Sequence, residues 1–205
     1  IRLSATAIWG PVAAIPHSQK KLKRLRMPKN KKVDYWDSYY SSLPLTELHV
    51  PSQFAAFVAS ECRGAKMIVD VGCGNGRDSV SFSNHFDRVV GVDSSAGGIN
   101  FCARFAAENK YDNVSFRVSS VASSEFLGLV EELIAGCKAG DVVFYSRFFL
   151  HALTTKEETT FFGALSKAAR KGDRLALEYR TVRDASGEKQ TPHHYRRFVS
   201  PPQVF

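Results

Sequence analysis

Three glycines at alternate positions have the clearest chemical meaning in this sequence. Gly72, Gly74 and Gly76 follow the apolar run 67–71 and precede a stretch that can form a helix. Glycine permits positive φ angles and lets the backbone approach a ligand closely, and the free amides at a helix start face an anion. A glycine turn between a strand and a helix is therefore predicted to bind a cofactor, and an ordinary tight turn is the alternative.

Asp93 is the second residue with a predicted ligand role. It follows the apolar run 88–92, so its carboxylate is expected at the tip of a neighbouring strand. A carboxylate in that position can accept both hydroxyls of an adenosine ribose. Because Ser94 and Ser95 follow, an aspartate that caps the next helix is the alternative. The glycines and Asp93 are compatible with a nicotinamide dinucleotide as well as with another adenosine cofactor.

The sequence around the glycines distinguishes between these cofactors. Residues 69–76, Val-Asp-Val-Gly-Cys-Gly-Asn-Gly, resemble motif I of class I S-adenosylmethionine-dependent methyltransferases, which reads acid-x-Gly-x-Gly-x-Gly. The dinucleotide fingerprint is Gly-x-Gly-x-x-Gly, and Arg77 stands where its last glycine would be. In that family, the acid in the position of Asp70 orients the loop and the amino group of the methionine portion. The resemblance covers residues 35–181 and implies S-adenosyl-L-methionine as the cofactor.

The same resemblance implies further contacts with the cofactor. Residues 119–121 take the family's adenine position, although its usual acid is missing, and residues 145–151 take the motif IV position beside the transferred methyl. The aromatic segment 35–40 resembles the helix that closes over the cofactor in small-molecule methyltransferases of the thiopurine and tellurite-resistance type. Ordinary packing of these aromatic residues against the sheet is the alternative. The predicted cofactor-binding residues are Asp70, Gly72, Gly74, Asn75, Gly76, Asp93, Ser119, Ser146, Tyr40 and Gln53.

Residues after the fourth predicted strand are candidates for the chemistry itself. Methyl transfer from a sulfonium is an in-line displacement, so an enzyme mainly positions the acceptor and, for a hydroxyl, removes its proton. His151 suits that role near neutral pH, and Arg147 precedes it in the same segment. We predict these two as the catalytic residues, and a capping or core histidine is the alternative for His151.

Basic and aromatic residues are concentrated after the fifth predicted strand. Arginine binds phosphates and carboxylates through two parallel hydrogen bonds, so this group predicts an anionic acceptor, such as a phosphorylated sugar, a glycan end or a carboxylate. Salt bridges within a surface loop, to Glu178, Asp184 and Glu188, are the alternative. The predicted substrate-binding residues are Arg180, His194, Tyr195, Arg196 and Arg197.

These residues predict methyl transfer to oxygen or nitrogen of a small-molecule or glycan-type acceptor. Segments 145–151, 178–181 and 194–197 look similar to bacterial methyltransferases attached to surface-glycan enzymes, which favours a glycan. A dinucleotide-dependent oxidoreductase and a non-catalytic methyltransferase-like module are the rival functions. No metal is expected, because the adjacent histidines at 193 and 194 would point in different directions on a strand.

Alternating strands and helices must position these residues. The pattern predicts an α/β fold of the Rossmann-like, doubly wound type, with a mostly parallel sheet and helices on both faces. Ligands bind such sheets at the carboxyl ends of the strands. Five strands are expected, so the last strands of the usual seven-stranded sheet are missing from this sequence. Strands are predicted at 67–71, 88–92, 113–118, 141–145 and 174–179, and helices at 51–60, 78–86, 96–109, 124–137 and 156–170, the last two capped by Ser123 or Ser124 and by Thr154 or Thr155.

The positive charge is concentrated before the predicted domain. The 205 residues carry a formal net charge of +8, and eight basic residues without an acid lie between positions 20 and 32. Without them, 20 basic residues face 20 acidic ones, so the domain at 33–205 is predicted to be close to neutral. Residues 1–32 are interpreted as a basic leader, a linker or the tail of a preceding domain that the chain is fused to or associated with. Such a segment could contact RNA, anionic lipid or an acidic partner, so RNA is a rival acceptor.

Composition excludes several classes of protein. Hydrophobic residues make up 44% of the chain and charged residues 23%, so it can bury a core. No apolar run approaches the roughly 18 residues that a membrane span needs. None of the four cysteines belongs to a Cys-x-x-Cys pair, which argues against a zinc site and for a reducing, cytoplasmic location.

Overall fold

A parallel sheet flanked by helices forms the centre of the protein. The computed structural model describes residues 35, 36, 38, 39, 50–185 and 196–198. The strands are β1 (Met67–Val71), β2 (Arg88–Asp93), β3 (Val114–Val118), β4 (Val142–Arg147) and β5 (Arg174–Glu178). The α-helices with defined bounds are α1 (Gln53–Glu61), α2 (Arg77–Phe82), α3 (Ala96–Glu108), α4 (Phe126–Ile134) and α5 (Thr155–Ala168), and two short 3-10 helices span Leu150–Ala152 and Val182–Asp184.

The order of the strands creates a ligand position beside β1. The five strands lie in the order β3-β2-β1-β4-β5, and all neighbouring pairs are parallel. The chain first builds outward from β1 through β2 to β3, and then returns to the other side of β1 with β4. Adjacent crossovers therefore leave opposite faces at the β1–β4 boundary, which is where doubly wound sheets bind ligands. The predicted Rossmann-like α/β fold is confirmed.

The sheet separates two apolar cores. On one face, Phe82 of α2 and Phe105 of α3 pack in a cluster with Ile68 of β1. On the other face, Phe126 of α4 and Phe161 of α5 belong to a cluster that contains strand residues of β1 and β4. Both faces of the sheet are covered, so all five residues of β1 are buried, which explains its nearly continuous apolar sequence.

The helix after the glycine turn is shorter than the sequence predicted. The prediction placed it at 78–86, but α2 ends at Phe82. The amide of Asn113 donates to the carbonyl oxygens of Ser83 at 2.8 Å and Phe86 at 2.9 Å. A side chain from the segment before β3 thus satisfies carbonyl groups that follow the helix, a contact that helical periodicity does not encode.

The fourth strand is longer than predicted. Its end was expected at position 145, whereas Ser146 and Arg147 continue the strand and pair with Leu177 and Glu178 of β5. Both residues therefore belong to the strand rather than to a loop after it. The longer pairing brings Arg147 beside Glu178.

The start of α4 was also predicted incorrectly. Neither Ser123 nor Ser124 caps it, since the residue before its first turn is Glu125 and makes no side-chain cap. The hydroxyl of Ser123 instead accepts the amide of Glu125 at 3.2 Å, which stabilises the preceding turn.

The predicted cap of α5 is confirmed. The Thr154 hydroxyl accepts the Glu157 amide at 3.3 Å, and the Glu157 carboxylate accepts the Thr154 amide at 2.7 Å. This reciprocal pair is a capping box. Among the described helices, none is both long and apolar enough to cross a membrane.

Candidate cofactor and acceptor site

The glycine turn after β1 has the conformation that its sequence predicts. The φ angles of Gly72, Gly74 and Gly76 are 77°, 57° and 76°, which side-chain-bearing residues rarely adopt. A Cβ atom on Gly72 would lie 2.4 Å from the ring of Phe149, and one on Gly76 would lie 2.8 Å from the Cys102 sulfur. Only glycine at these positions allows the turn to pack so closely against the rest of the protein.

Asp93 lies at the carboxyl end of β2 and contacts the glycine turn directly. Its Oδ2 atom accepts the Gly74 amide at 3.0 Å and its Oδ1 atom accepts the Ser95 amide at 2.9 Å. The residue that caps α3 is Ser95, whose hydroxyl accepts the Gly98 amide at 2.9 Å, so Asp93 is not the helix cap. A carboxylate has about four acceptor positions, so one at this strand tip can bind ribose hydroxyls as well as backbone amides.

Asp70 supports the glycine turn from inside the protein. Its side chain is buried, with 2% of its surface exposed, and it accepts the Ser79 hydroxyl at 2.6 Å. Burial raises the pKa of Asp70 to about 8, since removal from water disfavours the charged form. The neighbouring carboxylates of Asp78 and Asp93 raise this pKa further, and the Ser79 hydrogen bond opposes the shift. A contact between Asp70 and the amino group of the cofactor stays a prediction.

Asp78 is a buried residue that the sequence analysis missed. Its carboxylate accepts the Ser52 amide at 2.9 Å, the Ser52 hydroxyl at 2.8 Å and the Tyr145 hydroxyl at 2.8 Å. These bonds join the start of α1 to the first turn of α2 and to β4. The partners are 26 and 67 residues from Asp78 in sequence, so no local spacing could have revealed them.

The other predicted cofactor contacts occupy different surroundings. The Ser146 hydroxyl is buried and donates to the Val71 carbonyl at 2.8 Å, so it joins β4 to β1. Ser119 is half-buried and its amide donates to the Asp93 carbonyl at 2.9 Å, directly after β3. Asn75 is half-buried within the glycine turn, and Gln53 is exposed at the first position of α1. Their contacts with a cofactor stay predictions.

The aromatic segment before α1 is described in part. Tyr35, Trp36 and Tyr39 are helical, and their rings pack on one another with centroid separations of 5.0 to 6.3 Å. Burial raises the pKa of Tyr35, while the positive charge of Arg196 opposes that shift. Tyr40 lies outside the described residues.

A cluster of charged and aromatic side chains lies where β4 and β5 end. The Arg147 Nε atom donates to a Glu178 carboxylate oxygen at 2.5 Å. The Phe148 amide donates to the Glu178 carbonyl at 2.7 Å, and the guanidinium carbons of Arg147 and Arg180 lie 4.4 and 4.6 Å from the centre of the Phe148 ring. Arg180 also lies 3.7 Å from the Asp184 carboxylate. The structure therefore brings two of the predicted acceptor-side arginines onto one ring. We call these five residues the arginine cluster.

His151 is close to this cluster but is largely buried. It lies in the 3-10 helix Leu150–Ala152 with 7% of its surface exposed, and its ring centre is 6.3 Å from that of Phe148. The His151 carbonyl accepts the Arg197 amide at 2.8 Å. A catalytic role for His151 stays a prediction.

Arg197 contacts α5 in the described part of the chain. Its guanidinium group forms an ion pair with the buried Glu158 and donates to the Thr155 hydroxyl at 3.3 Å, both on α5. This partner is not one of the acids in the predicted loop alternative, and a contact between Arg197 and the acceptor stays a prediction. Outside the described residues lie His193, His194, Tyr195 and Glu188. No group of three or more histidine, cysteine or acidic side chains in the described part of the chain could hold a metal ion.

A family model for the methyltransferase domain matches residues 63–186, which is more than half of the chain. This chain belongs to the methyltransferase-domain family. The predicted membership in the class I methyltransferases is thereby confirmed, and S-adenosylmethionine is the cofactor of the family. The site of this methyltransferase domain fits that cofactor, because the glycines hold a turn that side chains would block and Asp93 stands at the tip of the adjacent strand.

Individual relatives of the domain share modest identity with it. The tRNA (uracil(54)-C(5))-methyltransferase of Saccharomyces cerevisiae is 29% identical over 42% of this chain, and an uncharacterised methyltransferase, YcgJ of Bacillus subtilis, is 30% identical over 33% of it. The matched regions are 13% and 26% of those proteins, so the chain spans about a quarter or less of these curated relatives. A solved S-adenosylmethionine-dependent methyltransferase from Anabaena variabilis has a TM-score of 0.52 and 21% identity, with 77% of this chain and 65% of that chain covered, and supports the fold.

Proposed function

We propose that this protein transfers the methyl group of S-adenosylmethionine to an oxygen or nitrogen atom of an anionic acceptor that is a small molecule or a glycan. The observation that carries the proposal is that Phe149, which lies against the glycine turn, directly follows Phe148 of the arginine cluster. Phe149 packs on Gly72. The guanidinium groups of Arg147 and Arg180 lie over the ring of the preceding residue, Phe148. A cofactor on the turn and an anionic acceptor at the cluster would therefore be neighbours.

Residues around the glycine turn bind and orient the cofactor in this proposal. The Asp93 carboxylate holds the turn through Gly74 and lies at the tip of β2, where it accepts the ribose hydroxyls of the cofactor. Asp70 and Ser79 brace the turn from the protein interior. Bound S-adenosylmethionine supplies an electrophilic methyl group on a positively charged sulfur.

Residues after β4 orient the acceptor and receive its proton. Arg147 and Arg180 hold the acceptor's anionic group, which fixes its direction of approach and lowers the entropic barrier to displacement. A ring nitrogen of His151 accepts the proton that a hydroxyl or amine loses on methylation. Burial of His151 excludes water from this position.

Calorimetry tests the cofactor assignment. We expect S-adenosylhomocysteine and S-adenosylmethionine to bind to the protein at one site, and NADH to show no binding under the same conditions. Binding of NADH alone would favour the oxidoreductase. Failure of both sulfur compounds to bind at roughly millimolar concentration, where weak ligands with Kd near 1 mM are still detected, would favour a non-catalytic module.

Paired acceptors test the chemical class of the substrate. Transfer of a labelled methyl group is measured with sugar phosphates and carboxylated sugars and with their neutral parent compounds. We expect labelling only of the anionic member of a pair. Equal labelling of both members would contradict an anionic acceptor.

RNA is the second candidate acceptor. The basic residues between positions 20 and 32 and the similarity to a tRNA methyltransferase favour it. Methyl incorporation into tRNA, lost at high salt because phosphate contacts are screened, would support RNA over a small molecule.

We also propose a cytoplasmic location, an attachment to surface-glycan enzymes and the division into a leader at 1–32 and a domain at 33–205.

A further inference from the structure

The Phe148 ring is held in place by an unusual backbone conformation. Its φ angle is 50°, in the left-handed region that bulky residues rarely occupy, and its amide donates to the Glu178 carbonyl at 2.7 Å. Such a conformation costs energy and persists where neighbouring structure enforces it, often at ligand sites. The turn sets the ring beneath both guanidinium groups of the arginine cluster.

Arg147 is fixed on two sides, which leaves its outer edge available. Glu178 accepts its Nε–H, and the Phe148 ring covers one face of the guanidinium group. Within the part of the chain that the structure describes, neither terminal nitrogen of Arg147 makes a hydrogen bond. Arginine presents its donors in a rigid planar fork, so the free edge matches two oxygen atoms of one carboxylate or phosphate.

Because of the two acidic residues in the arginine cluster, the shape of an anion as well as its charge determines whether it binds. Glu178 and Asp184 balance the charges of Arg147 and Arg180, but the Asp184 contact is long at 3.7 Å. Among the described residues, the cluster therefore has donor edges without a partner and little net charge. A point anion such as chloride gains little there, whereas a group with two coplanar acceptor oxygens can form paired hydrogen bonds.

We infer that Arg147 and Arg180, stacked on Phe148, form a receptor for a single carboxylate or phosphate group of the acceptor. This inference rests on the proposed function and deepens it. Arg147 thereby changes from a predicted catalytic residue to a residue that binds and orients substrate, because arginine stays protonated and cannot accept a proton at neutral pH.

Side-chain NMR of arginine tests this receptor directly. Protein labelled with 15N-arginine is titrated with inorganic phosphate, with acetate and with chloride at matched ionic strength, both alone and with S-adenosylhomocysteine. We expect saturable shifts of the Arg147 and Arg180 signals with phosphate, with acetate or with both. Phosphate alone indicates a phosphorylated acceptor, and acetate alone indicates a carboxylate. Shifts no larger than those with chloride would overturn the inference.

Lysine substitutions separate fork geometry from charge. Arg147→Lys keeps the charge and removes the fork, so it should weaken oxyanion binding at least about tenfold. Arg180→Lys provides a second variant at a more exposed position and should also weaken binding. Arg183→Lys is the matched control, since Arg183 is exposed in the same 3-10 helix as Asp184 and its side chain has no partner within the described residues. Equal loss in Arg183→Lys would overturn the inference, because it would reduce the effect to general charge.

The same samples distinguish failure of this inference from failure of the proposed function. Calorimetry with S-adenosylhomocysteine is run on the wild type and on each variant. Normal cofactor binding without oxyanion binding contradicts the receptor and the anionic nature of the acceptor, but not methyl transfer from S-adenosylmethionine. If the wild type does not bind S-adenosylhomocysteine, the proposed function is contradicted. The NMR titration with anions in the absence of cofactor still tests the receptor in that case.

Discussion

Two aspartates beside the glycine turn have different surroundings, and these surroundings separate their roles. Asp93 is half-buried at a strand tip, and its carboxylate accepts the backbone amides of Gly74 and Ser95. Asp70 is buried with one hydroxyl donor, and its pKa is raised to about 8. Asp93 is therefore suited to bind a ligand, and Asp70 to support the turn.

Asp93→Ala is expected to weaken binding of S-adenosylhomocysteine at least about tenfold, because hydrogen bonds to a charged group contribute about 1.5–3 kcal/mol. Calorimetry on the cofactor-free protein measures this change. Asp87→Ala is the control, since Asp87 is exposed and pairs only with the exposed Lys66 in the described structure. Unchanged affinity in Asp93→Ala would show that the assignment of β2 to the ribose is wrong.

Asp70 makes stability depend on pH. Its pKa is raised from 3.8 in the unfolded chain to about 8 when folded, so the retained proton stabilises the folded state. That contribution is complete below pH 3.8, falls as pH rises and is lost by about pH 8. Asp70→Asn cannot ionise, so its free energy of unfolding relative to the wild type should increase with pH, by up to about 1.4 kcal/mol per unit.

Urea denaturation of the cofactor-free protein at about pH 5 and about pH 7 measures this difference. Asp87→Asn, at an exposed position, should show a difference that does not change with pH. A constant difference for Asp70→Asn as well would mean that Asp70 is ionised throughout this range.

At the scale of elements, the buried hydrogen bonds of Asp78 join three parts of the fold. α1 lies outside the sheet, and Ser52, directly before its first residue, donates twice to Asp78. Tyr145 reaches the same carboxylate from β4 and packs between Phe54 of α1 and Phe82 of α2. Burial and the neighbouring Asp78 carboxylate raise the pKa of Tyr145, so its hydroxyl stays a proton donor.

Tyr145→Phe removes the hydroxyl and retains the ring, so it removes the bond to Asp78 and the 3.4 Å contact with the Ser52 hydroxyl. We expect a loss of about 1–3 kcal/mol in the free energy of unfolding, because Asp78 keeps its burial and loses a donor. Chemical denaturation followed by circular dichroism measures this loss. Tyr179→Phe is the matched control, since Tyr179 is half-buried after β5 and its hydroxyl has no partner among the described residues. A similar effect in both variants would contradict the role given to the Asp78 bond.

At the scale of the whole molecule, the segment with the excess positive charge and the cofactor site are separated along the chain. The eight basic residues between positions 20 and 32 lie outside the described residues, while the glycine turn, Asp93 and the arginine cluster all belong to the sheet and its edges. The sheet and its two cores supply the packing that holds the cofactor site. Cofactor binding should therefore be independent of the leader.

Deletion of residues 1–32 is expected to leave affinity for S-adenosylhomocysteine unchanged within about twofold, a difference of only about 0.4 kcal/mol. Calorimetry measures the affinity. If the leader contacts RNA, the same deletion should reduce the salt dependence of RNA binding, because fewer phosphates are neutralised. A large loss of cofactor affinity would show that the leader is part of the site.

The sequence by itself determined the order of strands and helices, the conformation of the glycine turn and the position of Asp93 at a strand tip. These features follow from neighbouring residues, because the period of apolar side chains and the φ preference of glycine act locally. Tertiary structure decided the partners of Asp78, the stacking of Arg147 and Arg180 on Phe148, and the pairing of Arg197 with Glu158. Apart from Arg147 and Phe148, which are adjacent in the chain, those partners are distant in sequence, so tertiary packing rather than any local period brings them together.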